Sequence, residues 1–270
     1  MDHFHRRYRS ASPQRRNTLD DSLLRAVCEC QKPLCWKCLS ASATLVLTES
    51  GAPIRTVVTG RRHQITGVYA SRKAGRALPY ESMNERALFM HSEVDTDVVD
   101  FRAQPFRLEF TVEGRRRAYI VDCVRQLSCD AIELIEVKND RRALRDLDYQ
   151  LKLQCVRAIC EQVGWRFRIV LKQGLFQPEL RYVNVLDVQS WKLTDYSATD
   201  VFRVVDHLDR HGPSPLGRLT ELIGGPQLGA AKLKAMMVGR IVRLDLSKPL
   251  TPQTLVERVA QRRDRVEVVQ

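Results

Sequence analysis

Between Pro105 and Leu171 the spacing of apolar residues changes twice, and no other feature of the chain restricts its fold as tightly. Three runs, Pro105 to Val112, Arg117 to Val124 and Ala131 to Val137, are rich in β-branched and aromatic residues. Short polar breaks separate them, Glu113-Gly114 and Ser128-Cys129-Asp130, which reads as strand, turn, strand, turn, strand. Leu144, Leu147, Leu151, Cys155, Ile159 and Val163 then recur at steps of three and four, the spacing of one helical face, and Gly164 follows as a stop. Trp165 to Leu171 returns to a strand pattern. Such an order predicts an antiparallel hairpin, a crossover helix over 140–163 and a parallel return strand. The fold class expected is α/β.

The flanks add a second region. Residues 81–94 place Met83, Ala87, Leu88 and Met90 at helical spacing, with Pro79 ahead as a start signal and the basic stretch 71–79 leading in. Residues 43–70 alternate short β-rich pieces with Gly and Pro. From about Ser197 the pattern is helical again, then Gly239 and a β-rich run follow, the sequence pattern of a winged-helix module. The domains expected are a basic, disordered arm over 1–40, a catalytic domain over 41–190 and a winged-helix-like domain over 191–270.

Charge narrows the partners. Lys and Arg number 44 against 32 Asp and Glu, a net +12, and residues 210–270 hold 11 against 5, or +6. With a pI near 9.6, a polyanion is the expected partner. No run approaches the roughly 18 apolar residues of a membrane span, and no apolar stretch with a cleavage site opens the chain. The eight cysteines are therefore expected as thiols in a cytoplasm. Aromatics are only 7% and form no stacking series, which favours duplex DNA over single strands or RNA. Arg115, Arg116 and Arg117 are candidate phosphate contacts, as are Arg262 and Arg263.

The hairpin carries the chemistry. Alternation puts Glu136 and Lys138 on one strand face, about 6 to 7 Å apart. A turn centred near Cys129 sets Asp122, seven residues before it, opposite Glu136, seven after. Two carboxylates at ~5 Å and an effective dielectric of ~20 repel by about 3 kcal/mol. A divalent cation offsets that repulsion, and Mg²⁺ held by one or two carboxylates beside substrate phosphates is the usual hard-cation arrangement. Lys138 adds positive charge for a developing phosphorane or an attacking water.

Asp122 followed 14 residues later by Glu136-Val137-Lys138 resembles the PD-(D/E)XK nuclease motif, with Val121 in the place of its proline. Preceded by Tyr80-Glu81-Ser82, Glu85, an apolar helix and Asp97-Val98-Val99-Asp100-Phe101-Arg102-Ala103-Gln104-Pro105, the series resembles the TnsA endonucleases of heteromeric cut-and-paste transposases. The similarity covers roughly 54–190. It implies a restriction-endonuclease-like mixed sheet flanked by helices, a small winged-helix-like C-terminal domain, and cleavage of one strand of double-stranded DNA at transposon ends. It also implies a cytoplasmic, nucleoid-associated bacterial protein that works with a DDE-type transposase (TnsB-like) and an AAA+ regulator (TnsC-like). By the same resemblance Asp122, Glu136 and the Val137 carbonyl would hold Mg²⁺, or Mn²⁺. Lys138 would be the base or electrostatic stabiliser and Glu85 the helix-borne acid, with Glu81 as rival for that place. A stand-alone nuclease of defence or repair and an inactive DNA-binding adaptor are the alternatives.

One motif lies apart from this series. Cys28, Cys30, Cys35 and Cys38 fall within eleven residues. Cys35 and Cys38 have the spacing of a zinc-binding pair, whereas Cys28 and Cys30 are cramped. Structural Zn²⁺ and free thiols both stay open.

Overall fold

The structure, a computed structural model, describes residues 19, 39–48, 52–54, 65–112 and 114–260. Cys28, Cys30, Cys35 and Cys38, most of the arm and the Arg262-Arg263 pair lie outside the described residues. The chain divides into two compact units, one of 1–85 and 100–171, the other of 86–99 and 172–270. Contacts thus part the chain at 171/172, whereas composition parts it at 190. No described helix is long and apolar enough to cross a membrane.

The first unit holds β1 (Leu39–Leu47), the hairpin β2 (Gly67–Ser71) and β3 (Arg76–Tyr80), and the start of α1 (Met83–Val94). It continues with β4 (Val98–Ala103), β5 (Phe106–Val112), β6 (Arg115–Ile120), β7 (Cys123–Leu127), β8 (Ile132–Lys138), α2 (Leu147–Gln162) and β9 (Arg166–Leu171). The chain leaves this unit within α1 and returns within β4. One sheet has the order β1-β5-β6 and a second the order β4-β7-β8-β9. β8 runs antiparallel to β7 and parallel to β9, so α2 is the crossover that the apolar spacing predicts. The core combines Phe106, Leu108 and Phe110 of β5, Leu134 of β8 and Val156 and Ile159 of α2.

Local chemistry explains the ends of α2. The Asp146 side chain accepts from the Tyr149 amide, capping the first turn. At the other end Gly164 sits at φ +74, its amide bonds Glu161 O, and the Trp165 amide reaches Cys160 O at 2.8 Å. That pair of bonds is a Schellman motif, and only the left-handed Gly164 permits it without strain. The helix is shorter than 140–163 because residues 141–144 form a separate 3₁₀ turn capped by Asp140.

Three local expectations are corrected. Arg117 to Val124 is not one strand, because the chain passes from one sheet to the other at Val121-Asp122. The Asp122 carboxylate itself takes the Val137 amide at 2.8 Å, so its side chain substitutes for a ladder bond at the crossing. Residues 71–79 are not a lead into a helix but belong to the β2–β3 hairpin, turned by Gly75 at φ +63. Pro79 lies in β3, and the helix start is set instead by Ser82 and Glu85. Leu19, which composition assigns to the basic arm, is buried in the core.

The second unit holds the rest of α1, then α3 (Lys172–Phe176), α4 (Glu179–Ser190), α5 (Ala198–His211), β10 (Ser214–Pro215), α6 (Leu216–Leu222) and α7 (Gly225–Val238). β11 (Val242–Leu244) and β12 (Leu255–Arg258) complete a three-stranded antiparallel sheet of order β10-β12-β11. Ser197 and Asp200 form a capping box at the start of α5, and Asp200 also pairs with Lys232 of α7 at 3.0 Å. α6 and α7 pack so closely that a Cβ on Gly229 would stand 2.4 Å from the Thr220 carbonyl oxygen.

Candidate active site

The register of one hairpin decides where the acidic groups meet. β7 and β8 pair Cys123 with Ile135, Val124 with Leu134 and Arg125 with Glu133. Each pair of numbers sums to 258, and so do 122 and 136. Asp122 therefore stands at the position facing Glu136, just beyond the last paired residues. Alternation along β8 sends Glu133 to the opposite face, where it forms a buried ion pair with Arg125 and a longer contact with Arg168 at 3.6 Å.

Glu136 is held from three sides. Tyr119 of β6 donates to its Oε2 at 2.7 Å, Tyr149 in the first turn of α2 donates to its Oε1 at 2.5 Å, and Lys138 Nζ lies 2.6 Å from Oε1. The Lys138 ammonium also stands over the Tyr149 ring, 4.9 Å from its centre. Burial opposes the charged form of Lys138, but the charge and hydrogen bond of Glu136 outweigh it and leave the pKa raised. Lys138 is thus a fixed cation. Both tyrosines have their pKa raised by burial and by the Glu136 charge, so they remain hydrogen-bond donors.

Asp122 experiences the opposite balance. Burial, then the Glu136 charge, push its carboxyl well above the usual range, with Glu85 adding to the effect, while the Val137 amide and Lys138 oppose it. Its Oδ2 takes the Val137 amide, and Oδ1 has no hydrogen bond among the described residues.

Glu81 and Glu85 both lie close by and are buried. Glu85 accepts from the Glu81 amide at 2.9 Å and from the Ser82 hydroxyl at 3.1 Å, while its own amide donates to Ser82 Oγ at 3.2 Å. Glu81 Oε1 accepts from Gln104 Nε2 at 3.1 Å. Gln104 is almost fully buried at φ +45, and its amide bonds the Asp122 carbonyl at 3.2 Å. The Glu85 charge is among the causes that raise the Asp122 pKa.

Among the described residues no three His, Cys, Asp or Glu side chains converge closely enough to cage a metal ion. The donors fit a hard cation nonetheless: a half-buried carboxylate with a raised pKa and an open Oδ1, a second carboxylate facing it, and the nearby Val137 carbonyl. Mg²⁺ commonly binds through one or two carboxylates and completes its shell with water and substrate phosphate oxygens.

The sequence reading named Glu85, Asp122, Glu136, Val137 and Lys138 for this site and missed Tyr119 and Tyr149. A tyrosine in a strand or in a helix's first turn carries no spacing signal. Only the closing of β6 and α2 over β8 brings both hydroxyls to one carboxylate.

Residues 95–172 match the family model described as TnsA-like endonuclease N terminal. The matched segment contains Gln104, Tyr119, Asp122, Glu136, Lys138 and Tyr149, while Glu81 and Glu85 precede it. No curated protein matches the chain. The mixed α/β architecture around this segment is consistent with a restriction-endonuclease-like fold.

Proposed function

We propose that this protein is the metal-dependent DNA endonuclease subunit of a heteromeric transposase, cutting one strand of duplex DNA at transposon ends. The observation that carries the reading is the facing of Asp122 and Glu136 across one hairpin register, with Lys138 pinned to Glu136, inside a segment that matches TnsA-like endonucleases. Asp122, Glu136 and the Val137 carbonyl would hold Mg²⁺ or Mn²⁺. When bound, such an ion polarises the phosphodiester and acidifies a water molecule.

The chain's own groups do the rest. Tyr119 and Tyr149 orient the Glu136 carboxylate. Lys138, held charged, supplies positive charge to a non-bridging phosphate oxygen as negative charge accumulates there, rather than accepting a proton. Glu85, anchored by Ser82 and the Glu81 amide, contributes negative charge beside Asp122. Hydrolysis then joins water to phosphorus and releases the 3′ oxygen.

The second unit supports a docking role. Its order of helix, strand, two helices and two strands, closed as β10-β12-β11, supports the winged-helix-like reading. Lys232 and Lys234 of α7 are already paired, with Asp200 and Asp187, and half of the helix's residues are buried. This favours the protein partners, a DDE-type transposase and an AAA+ regulator, over base reading by α7.

Strand-resolved cleavage of a transposon-end duplex, with the partner transposase present, tests the assignment. Asp122→Ala is expected to lower the rate by at least about 10²-fold, the scale of removing one electrostatic group from an active site. Parental cutting by the variant would remove Asp122 from the site.

A further inference from the structure

The segment 139–148 leaves the catalytic strand and returns to it at a single atom. Lys138 at its start and Tyr149 at its end both contact Glu136 Oε1, at 2.6 and 2.5 Å. The ten residues between them form a short loop anchored at both ends on the proposed metal-binding carboxylate. Asp140 stiffens the loop by accepting from the Arg142 and Ala143 amides at 2.7 and 3.3 Å, and Asp146 caps the helix that follows. The loop lies beyond the C-terminal end of β8, which pairs in parallel with β9, and that end of a parallel pair is where α/β sheets receive ligands.

This loop carries Arg141, Arg142 and Arg145, all exposed. None of the three guanidinium groups forms an ion pair or a hydrogen bond among the described residues. Other arginines of the same unit are committed: Arg102 to Asp100, Arg107 to Glu109, Arg117 to Asp148 and Arg125 to Glu133. Asp140 and Asp146 on the same loop accept backbone amides and Asp148 pairs with Arg117, so no carboxylate of the described protein pairs with these three guanidinium groups. A row of phosphates would, and arginine is the side chain suited to bidentate phosphate contact.

We propose that Arg141, Arg142 and Arg145 form a clamp for the DNA backbone phosphates flanking the scissile one, holding the cut strand in register with Asp122 and Glu136. The clamp rests on the nuclease reading above for its purpose, though its binding is measurable without chemistry. Phosphate contacts of this kind position the duplex and carry no sequence information.

The full-length chain in chelator, titrated with a fluorescent 30-base-pair duplex over a range of salt, provides the test. The probes are the parent, the triple Arg→Ala variant and the triple Arg→Lys variant, with thermal unfolding run on each. The Ala variant is expected to unfold like the parent, bind more weakly, and lose about 0.9 from the slope of log K against log salt for each contact removed. The Lys variant keeps most of the slope, because charge rather than shape sets it. In the assembled reaction the Ala variant raises KM for DNA and leaves kcat near parental.

Unchanged binding and slope in the Ala variant overturn the clamp, as does failure of the parent to bind at low salt. Lost cleavage with unchanged DNA binding assigns the turn to a protein partner and overturns it equally. Asp122→Asn separates the two proposals: if that variant still cuts while the Ala variant loses binding, the active-site assignment fails and the clamp stands.

Discussion

Asp122 carries an electrostatic cost in the metal-free protein. Burial and the Glu136 charge raise its pKa in the folded state, so the native carboxyl retains a proton that the unfolded chain has released. Its contribution to stability is therefore favourable at acid pH and declines as pH climbs from the ordinary carboxylate range through the raised folded value. Asp122→Asn removes that decline while keeping an acceptor for the Val137 amide. We expect the metal-free variant to melt higher than the parent at neutral pH and equally at mildly acidic pH, measured by calorimetry across the range. Mn²⁺ should raise the melting temperature of the parent and not of the variant. Tyr119→Phe removes one of the donors to Glu136 without opening a cavity. By analogy with the outer-shell partners of metal ligands, it should weaken metal affinity or cleavage by about 10 to 100-fold. An unchanged Mn²⁺ titration would show that Tyr119 only fills space.

Elements set the limits within which these residues act. The β7–β8 register places Asp122, and slipping it by one residue would turn Glu136 toward the face occupied by Arg125 and Arg168. Helix α1 places Glu85, and its start depends on Ser82, whose hydroxyl both receives the Glu85 amide and donates to the Glu85 carboxylate. Ser82→Ala should cost about 1 kcal/mol, as loss of an N-cap does, read from the urea midpoint. It should also lower cleavage, because Glu85 loses a hydrogen bond that orients it. A variant less stable but fully active would show that Glu85 has no part in the reaction. β4 was not anticipated, since the 97–105 stretch reads as a motif rather than as alternating apolar and polar residues. Its residues are buried on both faces, which erases the period-two signal.

At the scale of the whole molecule, the net +12 is divided between unpaired and paired charge. Arg141, Arg142 and Arg145 are unpaired among the described residues, whereas Lys232, Lys234, Arg210 and Arg258 are committed to carboxylates of their own unit. No described segment presents an evident base-reading element, so the protein alone is expected to nick transposon-end duplex poorly with Mg²⁺ and to cut when the transposase partner is added. Efficient, site-selective cutting by the purified chain would favour a stand-alone nuclease. The hairpin, its turn centre, the crossover helix, the parallel return strand and the facing of Asp122 with Glu136 were all legible in residue spacing. Those features are local, because a turn and a two-residue or 3.6-residue period determine them within about thirty residues. The break of the strand at Asp122, the two tyrosines on Glu136, the Glu81–Gln104 bond and the unpaired arginine turn required the tertiary structure. Each depends on what a distant element places beside a side chain, and no period within a single segment encodes that.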